Sequence, residues 1–154
     1  MITIQLKAEV CDIIKGACRR AGLRETGGML FGEHVSENEF CIVEATVAGT
    51  GTVSSFTRAI ISGLGRLELF FRRTNHDYRR FNYLGEWHSH PSFEPYPSAS
   101  DDKTMFDIVN DPITNARFAL LLIVKLNEQK LETRSFVYYP NDKRHDDRVV
   151  LVQK

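Results

Sequence analysis

The chain has little of what marks a disulfide-bonded, membrane-spanning or nucleic-acid-binding protein. It has three cysteines in 154 residues and no Cys-x-x-Cys pair, and the odd number argues against a disulfide framework. No apolar run approaches the roughly twenty residues that cross a bilayer, and the first residues do not begin a signal peptide. Lys plus Arg and Asp plus Glu are both 20, so no net field attracts nucleic acid or an anionic membrane. We therefore expect a cytoplasmic protein without membrane or nucleic-acid partners.

Length and composition predict one ordinary globular domain over residues 1–154. The hydrophobic content of 42% and the charged content of 26% are typical of such a domain. A chain of this length buries roughly 70% of its unfolded surface. If Cys11 and Cys18 share a helix, they lie about 10 Å apart at 1.5 Å per residue, beyond the roughly 7 Å limit for a bridge. With Cys41, they are predicted to be reduced packing residues.

Hydrophobic periodicity predicts helices alternating with strands. Strands are predicted at 29–31, 40–47, 53–57, 83–90, 118–126 and 131–139, with turns at 36–38, 49–51 and 127–129. A first helix is predicted through Val10, Ile13, Ile14, Ala17, Cys18 and Ala21, with a stop at Gly22. A second helix is predicted through Leu64, Leu67, Phe70, Phe71, Tyr78 and Phe81, and a third over residues 100–110.

Residues 85–101 contain the pattern that is most informative about function. His88 and His90 are two residues apart in a predicted strand, so their side chains point to the same face. Pro91 ends the strand, and Ser98 and Ser100 are candidate caps for a helix with Asp101 in its first turn. Two imidazoles and one carboxylate leave a fourth position for water, which is typical of a catalytic zinc site.

Each part of this pattern also has an ordinary structural explanation. An isolated His-x-His is weak evidence for a metal, and Ser98-x-x-Asp101 is close to a capping box. Glu86 lies on the same strand face as His88 and could be a third ligand. By contrast, His34, His76 and His145 lack ligand spacing and are interpreted as surface histidines. The absence of Pro-Cys-x-x-Cys argues against a zinc deaminase.

The joint pattern, His-x-His-Pro followed after six residues by Ser-x-x-Asp, resembles the motif of the JAB/MPN metalloproteases, the JAMM family of zinc isopeptidases. The family's upstream Glu-x-Gly-Gly is matched at residues 25–28. The resemblance implies that His88, His90 and Asp101 bind Zn²⁺, that Glu25 is the general base, and that Ser98 is the oxyanion donor. Glu86 would then orient a histidine or contact substrate.

The resemblance also implies a fold and a substrate. The fold would be α/β (α+β), a single MPN/JAB-like domain with a curved, mostly antiparallel central sheet flanked by helices. Bacterial single-domain members look like deconjugating peptidases that act on ubiquitin-like proteins, some encoded in anti-phage operons with conjugation enzymes. Such enzymes cut after a Gly-Gly tail, which would enter a slot between Gly27-Gly28 and the loop at 91–97.

Two further functions remain open from the sequence. A processing peptidase that trims a sulfur-carrier or ubiquitin-like precursor would use the same chemistry. A non-catalytic MPN-type scaffold or protein-interaction module would be expected to have lost ligands that this chain retains.

Arg72, Arg73, Arg79 and Arg80 form the strongest local charge cluster. Such a run is usually a solvated helix face, and the alternative is a surface for an acidic protein partner. Nucleic acid is the poorer interpretation, because aromatic and basic residues do not alternate elsewhere.

Overall fold

The strands of the chain join in one mixed sheet. The computed structural model describes residues 1–48, 65–112, 116–141, 143–146 and 149–153. Its strands are β1 (Ile2–Leu6), β2 (Gly27–Ser36), β3 (Glu39–Ala45), β4 (Phe81–Ser89), β5 (Ala119–Asn127), β6 (Lys130–Tyr139), β7 (Lys143–His145) and β8 (Val149–Gln153). Across the sheet they follow the order β7-β6-β5-β4-β2-β3-β1-β8.

The sheet is curled and more antiparallel than parallel. Among the described strands, β2–β3, β2–β4, β5–β6 and β6–β7 pair antiparallel, whereas β1–β3, β1–β8 and β4–β5 pair parallel. The edge strand β8 approaches β6, which lies next to the opposite edge, so the sheet curls strongly. The predicted fold class, a curved and mostly antiparallel sheet flanked by helices, is confirmed.

Helices cover both faces of the sheet. They are α1 (Ala8–Ala21), α2, which includes residues 65–73, and α3 (Ala99–Asn110). The side chains of β5 alternate between the two faces of the sheet. Leu120, Leu122 and Val124 pack in the cluster that contains α1. Ala119, Leu121 and Ile123 pack on the other face, against Met105 and Val109 of α3. This alternation is the period of two expected for a strand that is buried on both faces. Phe70 of α2 packs on Met29 and Phe31 of β2.

Most of the predicted elements that fall on described residues are found. The predicted strand at 53–57, the predicted turn at 49–51 and Leu64 of the predicted second helix lie outside the described residues. The second helix does not continue to Tyr78 and Phe81, because Asn75 and His76 adopt positive φ values of 56° and 55° and Phe81 begins β4. The strands β1, β7 and β8 were not predicted. Ile13 belongs to α1 but is 42% exposed, on the edge of its apolar face.

The three cysteines are buried and form no disulfide, as predicted. Burial raises the pKa of Cys18 to about 11 and raises that of Cys11 as well. Both thiols are therefore protonated packing groups at neutral pH. Within the described ranges, no helix combines the length and apolarity that a membrane crossing requires.

Gly85 produces an irregularity in β4 that sets which face each side chain takes. Leu30 of β2 is opposite Gly85 and Phe31 is opposite Tyr83, so Leu84 is an extra residue on β4. Gly85 has φ 152°, and a Cβ there would lie 1.8 Å from the Leu120 carbonyl oxygen. Leu84 and Trp87 both pack in the α1 cluster although they are three residues apart. The bulge therefore places Tyr83 on the same face as Glu86 and His88.

Gly85→Ala is expected to lower the free energy of unfolding by more than about 2 kcal/mol, because the new methyl group would overlap backbone and φ is unfavourable. Gly65→Ala is the matched control, since a Cβ at Gly65 meets no atom within 4 Å. That change should stay within about 1 kcal/mol of wild type. Equal denaturant midpoints for the two variants would contradict this role of Gly85.

Candidate metal centre

The two histidines of the candidate site lie at the end of a central strand that is paired on both sides. His88 is opposite Gly27 of β2 and opposite Ile123 of β5. His90 follows the strand, and its backbone N–H donates to the Val124 carbonyl at 2.9 Å. The backbone of both histidines is thus fixed by neighbouring strands, which favours precise placement of ligand atoms.

Asp101 reaches the histidines from the first turn of α3. Ser98 is the N-cap: its Oγ accepts from the Asp101 backbone N–H at 3.1 Å, and Asp101 Oδ2 accepts from the Ser98 backbone N–H at 2.7 Å. The Ser98 hydroxyl also donates to Asp101 Oδ2 at 2.7 Å. The predicted capping box is therefore present, and it fixes the carboxylate. Ser100 lies inside the helix and not at its cap.

The three predicted ligands converge. One ligand atom each of His88, His90 and Asp101 lies within 4.8 Å of the others, and all three residues are buried. The two Nε2 atoms are 2.9 Å apart, and Asp101 Oδ2 lies 3.6 Å from that of His88 and 3.8 Å from that of His90. No other such group of three occurs in the part of the chain that the structure describes.

These distances and protonation states fit a divalent metal ion. Around a tetrahedral ion with bonds of about 2.0–2.1 Å, ligand atoms lie about 3.3 Å from one another. Burial lowers the pKa of His88 to about 4; the charge of His90 acts in the same direction and Asp101 opposes it. His88 is therefore neutral at pH 7, as a metal ligand must be. His90 Nδ1 donates to the Glu94 carbonyl at 3.1 Å, which leaves its Nε2 as the lone-pair nitrogen.

Glu25 lies just before β2, at the end of that strand that is beside His88. Gly27 is opposite His88. Beyond this pair, the Ser89 N–H donates to the Thr26 carbonyl at 2.8 Å, and the Thr26 N–H donates to Ser89 Oγ at 3.0 Å. Glu25 is the next residue outward from Thr26, and it is half-buried.

Glu86 lies two residues before His88 and is only 1% exposed. Its Oε1 accepts from the Tyr83 hydroxyl at 2.8 Å, whereas its Oε2 is buried without a hydrogen-bond partner. Burial raises the pKa of Glu86 to about 8, and the Tyr83 hydrogen bond acts against this rise. Glu86 is not in the group of three ligand residues, which favours a supporting role over direct ligation.

The glycines of residues 27–28 pack closely against the chain's own backbone. A Cβ on Gly27 would lie 2.4 Å from the Trp87 carbonyl oxygen, and one on Gly28 would lie 2.0 Å from the Thr46 carbonyl oxygen. The Thr46 carbonyl also accepts from the Trp87 indole N–H at 2.8 Å. Neither position can therefore carry a side chain, and the slot between these glycines and the loop at 91–97 stays a prediction.

The arginine cluster pairs largely with the chain's own acids. Arg72 binds Glu68 one helical turn away, Arg73 binds Glu44, and Arg80 binds Glu33. The three arginine side chains are exposed, so each pair adds little stability. The pairing favours the interpretation as a solvated surface over a partner site.

The other three histidines are not in the ligand group. His34 and His76 are exposed, and His34 stacks on Phe40. His145 is half-buried against Tyr139.

Three contacts at the site were not predicted from the sequence. They are the Tyr83–Glu86 hydrogen bond, the Glu94 carbonyl behind His90, and an ion-pair network around Arg144 and Asp102. The first depends on the bulge and the second on loop conformation. The third joins residues 42 positions apart. No local pattern in the sequence signals any of them.

Comparisons with known proteins agree with the family resemblance and the fold. A family model described as prokaryotic homologs of the JAB domain matches residues 7–139. A protein of Enterobacter hormaechei subsp. hoffmannii, named CD-NTase/cGAS isopeptidase, is 30% identical over 109 residues, which is 70% of this chain and 59% of that protein. The solution structure of a Desulfitobacterium hafniense protein superposes with a TM-score of 0.64 at 19% identity, over 98% of this chain and 94% of the other. This last likeness concerns the fold.

Proposed function

The chain belongs to the family of prokaryotic homologs of the JAB domain, and from that premise we propose that it is a zinc-dependent isopeptidase. Its reaction would hydrolyse the amide that follows the C-terminal glycine of a ubiquitin-like protein. The observation that supports this most strongly is the buried convergence of His88, His90 and Asp101 at the end of β4. A non-catalytic scaffold would have no need to bury these three groups against one another.

Zinc is the proposed ion because two neutral imidazoles and one carboxylate form a donor set typical of catalytic zinc. When bound, the ion would supply water acidified toward neutral pH and would polarise the scissile carbonyl. His88 Nε2, His90 Nε2 and a carboxylate oxygen of Asp101 would hold it. The Glu94 carbonyl and Ser98 would orient His90 and Asp101, respectively.

Glu25 is proposed as the general base and acid. Its carboxylate would take a proton from the attacking water as the new C–O bond forms, and it would return that proton to the amine as the C–N bond breaks. Such a group typically contributes about 10²–10⁴-fold to the rate. Two observations support this role: Glu25 lies two residues before Gly27, which is opposite His88, and it is only half-buried.

Ser98 is proposed to stabilise the negative charge on the carbonyl oxygen. Its single hydroxyl hydrogen is donated to Asp101 Oδ2, so catalysis would require the O–H to rotate toward the substrate. The Ser98 backbone N–H would continue to hold the carboxylate. Removing one donor of this kind typically costs about 10²–10³-fold in turnover.

Two kinds of substrate are proposed, and they differ in which protein carries the glycine-terminated tail. The resemblance favours a ubiquitin-like protein with a glycine-terminated tail, released from a conjugate or processed from a precursor. The name of the Enterobacter relative favours a CD-NTase as the conjugated protein. The present chain matches 59% of that relative's length, so its substrate and any conjugation enzymes encoded beside it are part of the proposal.

We expect cleavage to depend on the terminal glycines of a folded partner. Ubiquitin and a CD-NTase, each fused through a glycine-ended tail to a fluorescent protein, would be compared with forms whose last glycines are replaced by leucine. A bulky residue beside the scissile bond should suppress cleavage even where the folded partner still binds, because binding remote from the bond serves to position it. Product would be measured by mass spectrometry, with His88→Ala protein as the blank.

Denatured casein serves as the third substrate. Equal cleavage of casein, the glycine-ended fusion and its leucine form would refute tail specificity and leave a broad metallopeptidase.

A further inference from the structure

A polar network connects β7 to the first turn of α3, which carries Asp101, and to the loop at 91–97, which contacts His90. Arg144 Nη1 donates to Asp102 Oδ1 at 2.7 Å and to Oδ2 at 2.9 Å. Its Nη2 donates to the Tyr96 hydroxyl oxygen at 2.7 Å, and its Nε donates to Asp146 Oδ1 at 2.8 Å. The Tyr96 hydroxyl donates to Asp146 Oδ2 at 2.9 Å. All three guanidinium nitrogens are thus engaged.

The network is more buried and has more contacts than an ordinary surface ion pair. The Arg144 side chain is 20% exposed, and its guanidinium carbon lies 5.1 Å from the centre of the Tyr96 ring and 5.8 Å from that of Phe136. The Tyr138 hydroxyl donates to Asp102 Oδ1 at 2.6 Å. Partial burial, a forked arginine–carboxylate contact and aromatic stacking each strengthen such an interaction.

Two arms of the network, those to Asp102 and Tyr96, lead to candidate ligands. Asp102 follows Asp101 in the first turn of α3. Tyr96 lies in the loop at 91–97, where its backbone N–H donates to the Glu94 carbonyl at 2.7 Å. The same carbonyl accepts from His90 Nδ1. Arg144 therefore holds together the helix turn that presents Asp101 and the loop that orients His90.

We propose that Arg144 is a positioning residue for the metal centre: it fixes the loop at 91–97 against the first turn of α3, so that His90 and Asp101 remain convergent on the ion. This inference rests on the metal site of the proposed function. Arg144 and Asp146 lie beyond residues 7–139, the segment that matches the family, so the family match does not include this part of the network.

The test measures metal affinity directly. Purified wild-type protein, Arg144→Met and Arg144→Lys would be stripped of metal and titrated with Zn²⁺ in competition with a chromogenic chelator. We expect Arg144→Met to bind Zn²⁺ about tenfold more weakly, the lower end of the 10–100-fold effect typical of groups that support metal ligands. Lysine cannot reproduce the forked contact, so Arg144→Lys should recover only part of this loss.

Two further variants test whether the change in Zn²⁺ affinity is specific to the network around Arg144. Tyr96→Phe removes only the hydroxyl that contacts Arg144 and Asp146. It should weaken Zn²⁺ binding, as Arg144→Met does. This variant tests the inference even if Arg144→Met fails to fold. Arg72→Met is the matched control, because it removes an exposed ion pair with Glu68 and should leave Zn²⁺ affinity unchanged. The absorption spectrum of bound Co²⁺ should change for Arg144→Met and not for Arg72→Met.

The inference would be overturned if Arg144→Met and Tyr96→Phe both kept wild-type Zn²⁺ affinity and an unchanged Co²⁺ spectrum. Arg144 would then be only a stabilising contact, even if the melting temperature of these variants were lower. The proposed function would survive that result. Conversely, weakened metal binding in these variants, together with no cleavage of any glycine-ended fusion by the wild type, would support the positioning role and count against the isopeptidase.

Discussion

His88→Ala and His90→Ala are each expected to abolish stoichiometric zinc binding, from about one ion per chain to trace amounts. Each change removes one of three ligand atoms that lie within 4.8 Å of one another. Peptidase activity should fall by at least about 10³-fold, because a catalytic ion contributes several kcal/mol of transition-state stabilisation. Zinc would be measured by mass spectrometry after gel filtration without chelator.

His76→Ala is the control for these two variants, since His76 is exposed and lies outside the ligand group. It should retain wild-type zinc and activity. Asp101→Ala is less clean than the histidine variants, because Asp101 also closes the capping box of α3 and its loss would weaken the helix. Full zinc content in both histidine variants would contradict their assignment as ligands.

Glu25→Gln is expected to retain zinc and fold while turnover falls by about 10²–10⁴-fold. Glutamine keeps the shape of glutamate but cannot accept the proton of water. Because Glu25 is not in the group of three ligand residues, the zinc content and the melting temperature should match those of wild type. Single-turnover cleavage of a glycine-ended fusion would measure the chemical step.

Glu86→Gln is the matched comparison, since Glu86 is a glutamate on the same face of β4 as His88. If Glu25→Gln turns over within about tenfold of wild type and Glu86→Gln is the slower enzyme, the general base has been assigned to the wrong glutamate. The opposite order supports Glu25 and leaves Glu86 as a buried group that supports the strand.

Elements with a strong local pattern were predictable from the sequence. The apolar stripe of α1, the cap of α3 and the apolar run of β5 each determine their element within a few residues. Helix α2 was predicted too long because Phe81 continues a helical spacing, whereas positive φ at Asn75 and His76 ends the helix. The strand β1 forms by parallel pairing with β3 and β8. Such pairing depends on distant residues and has no short-range signal.

In the candidate site, too, residues with a local sequence pattern were predictable and residues that depend on distant contacts were not. The ligand set was predictable because His88 and His90 share a strand face and Asp101 follows a recognisable cap. The sequence predicts that Gly27 borders a substrate slot, which stays a prediction, whereas its close packing against the Trp87 carbonyl was not predicted. The contribution of Arg144 depends on contacts with Tyr96 and Asp102 across the fold, which only the folded arrangement reveals.

The most direct test of the central claim is anomalous diffraction at the zinc absorption edge from crystals of the wild-type protein grown with one equivalent of zinc. The proposed centre predicts a single strong peak between His88 Nε2, His90 Nε2 and the Asp101 carboxylate, with a fourth position open to water. A fully occupied zinc site elsewhere, with no anomalous peak among these three residues, would contradict it.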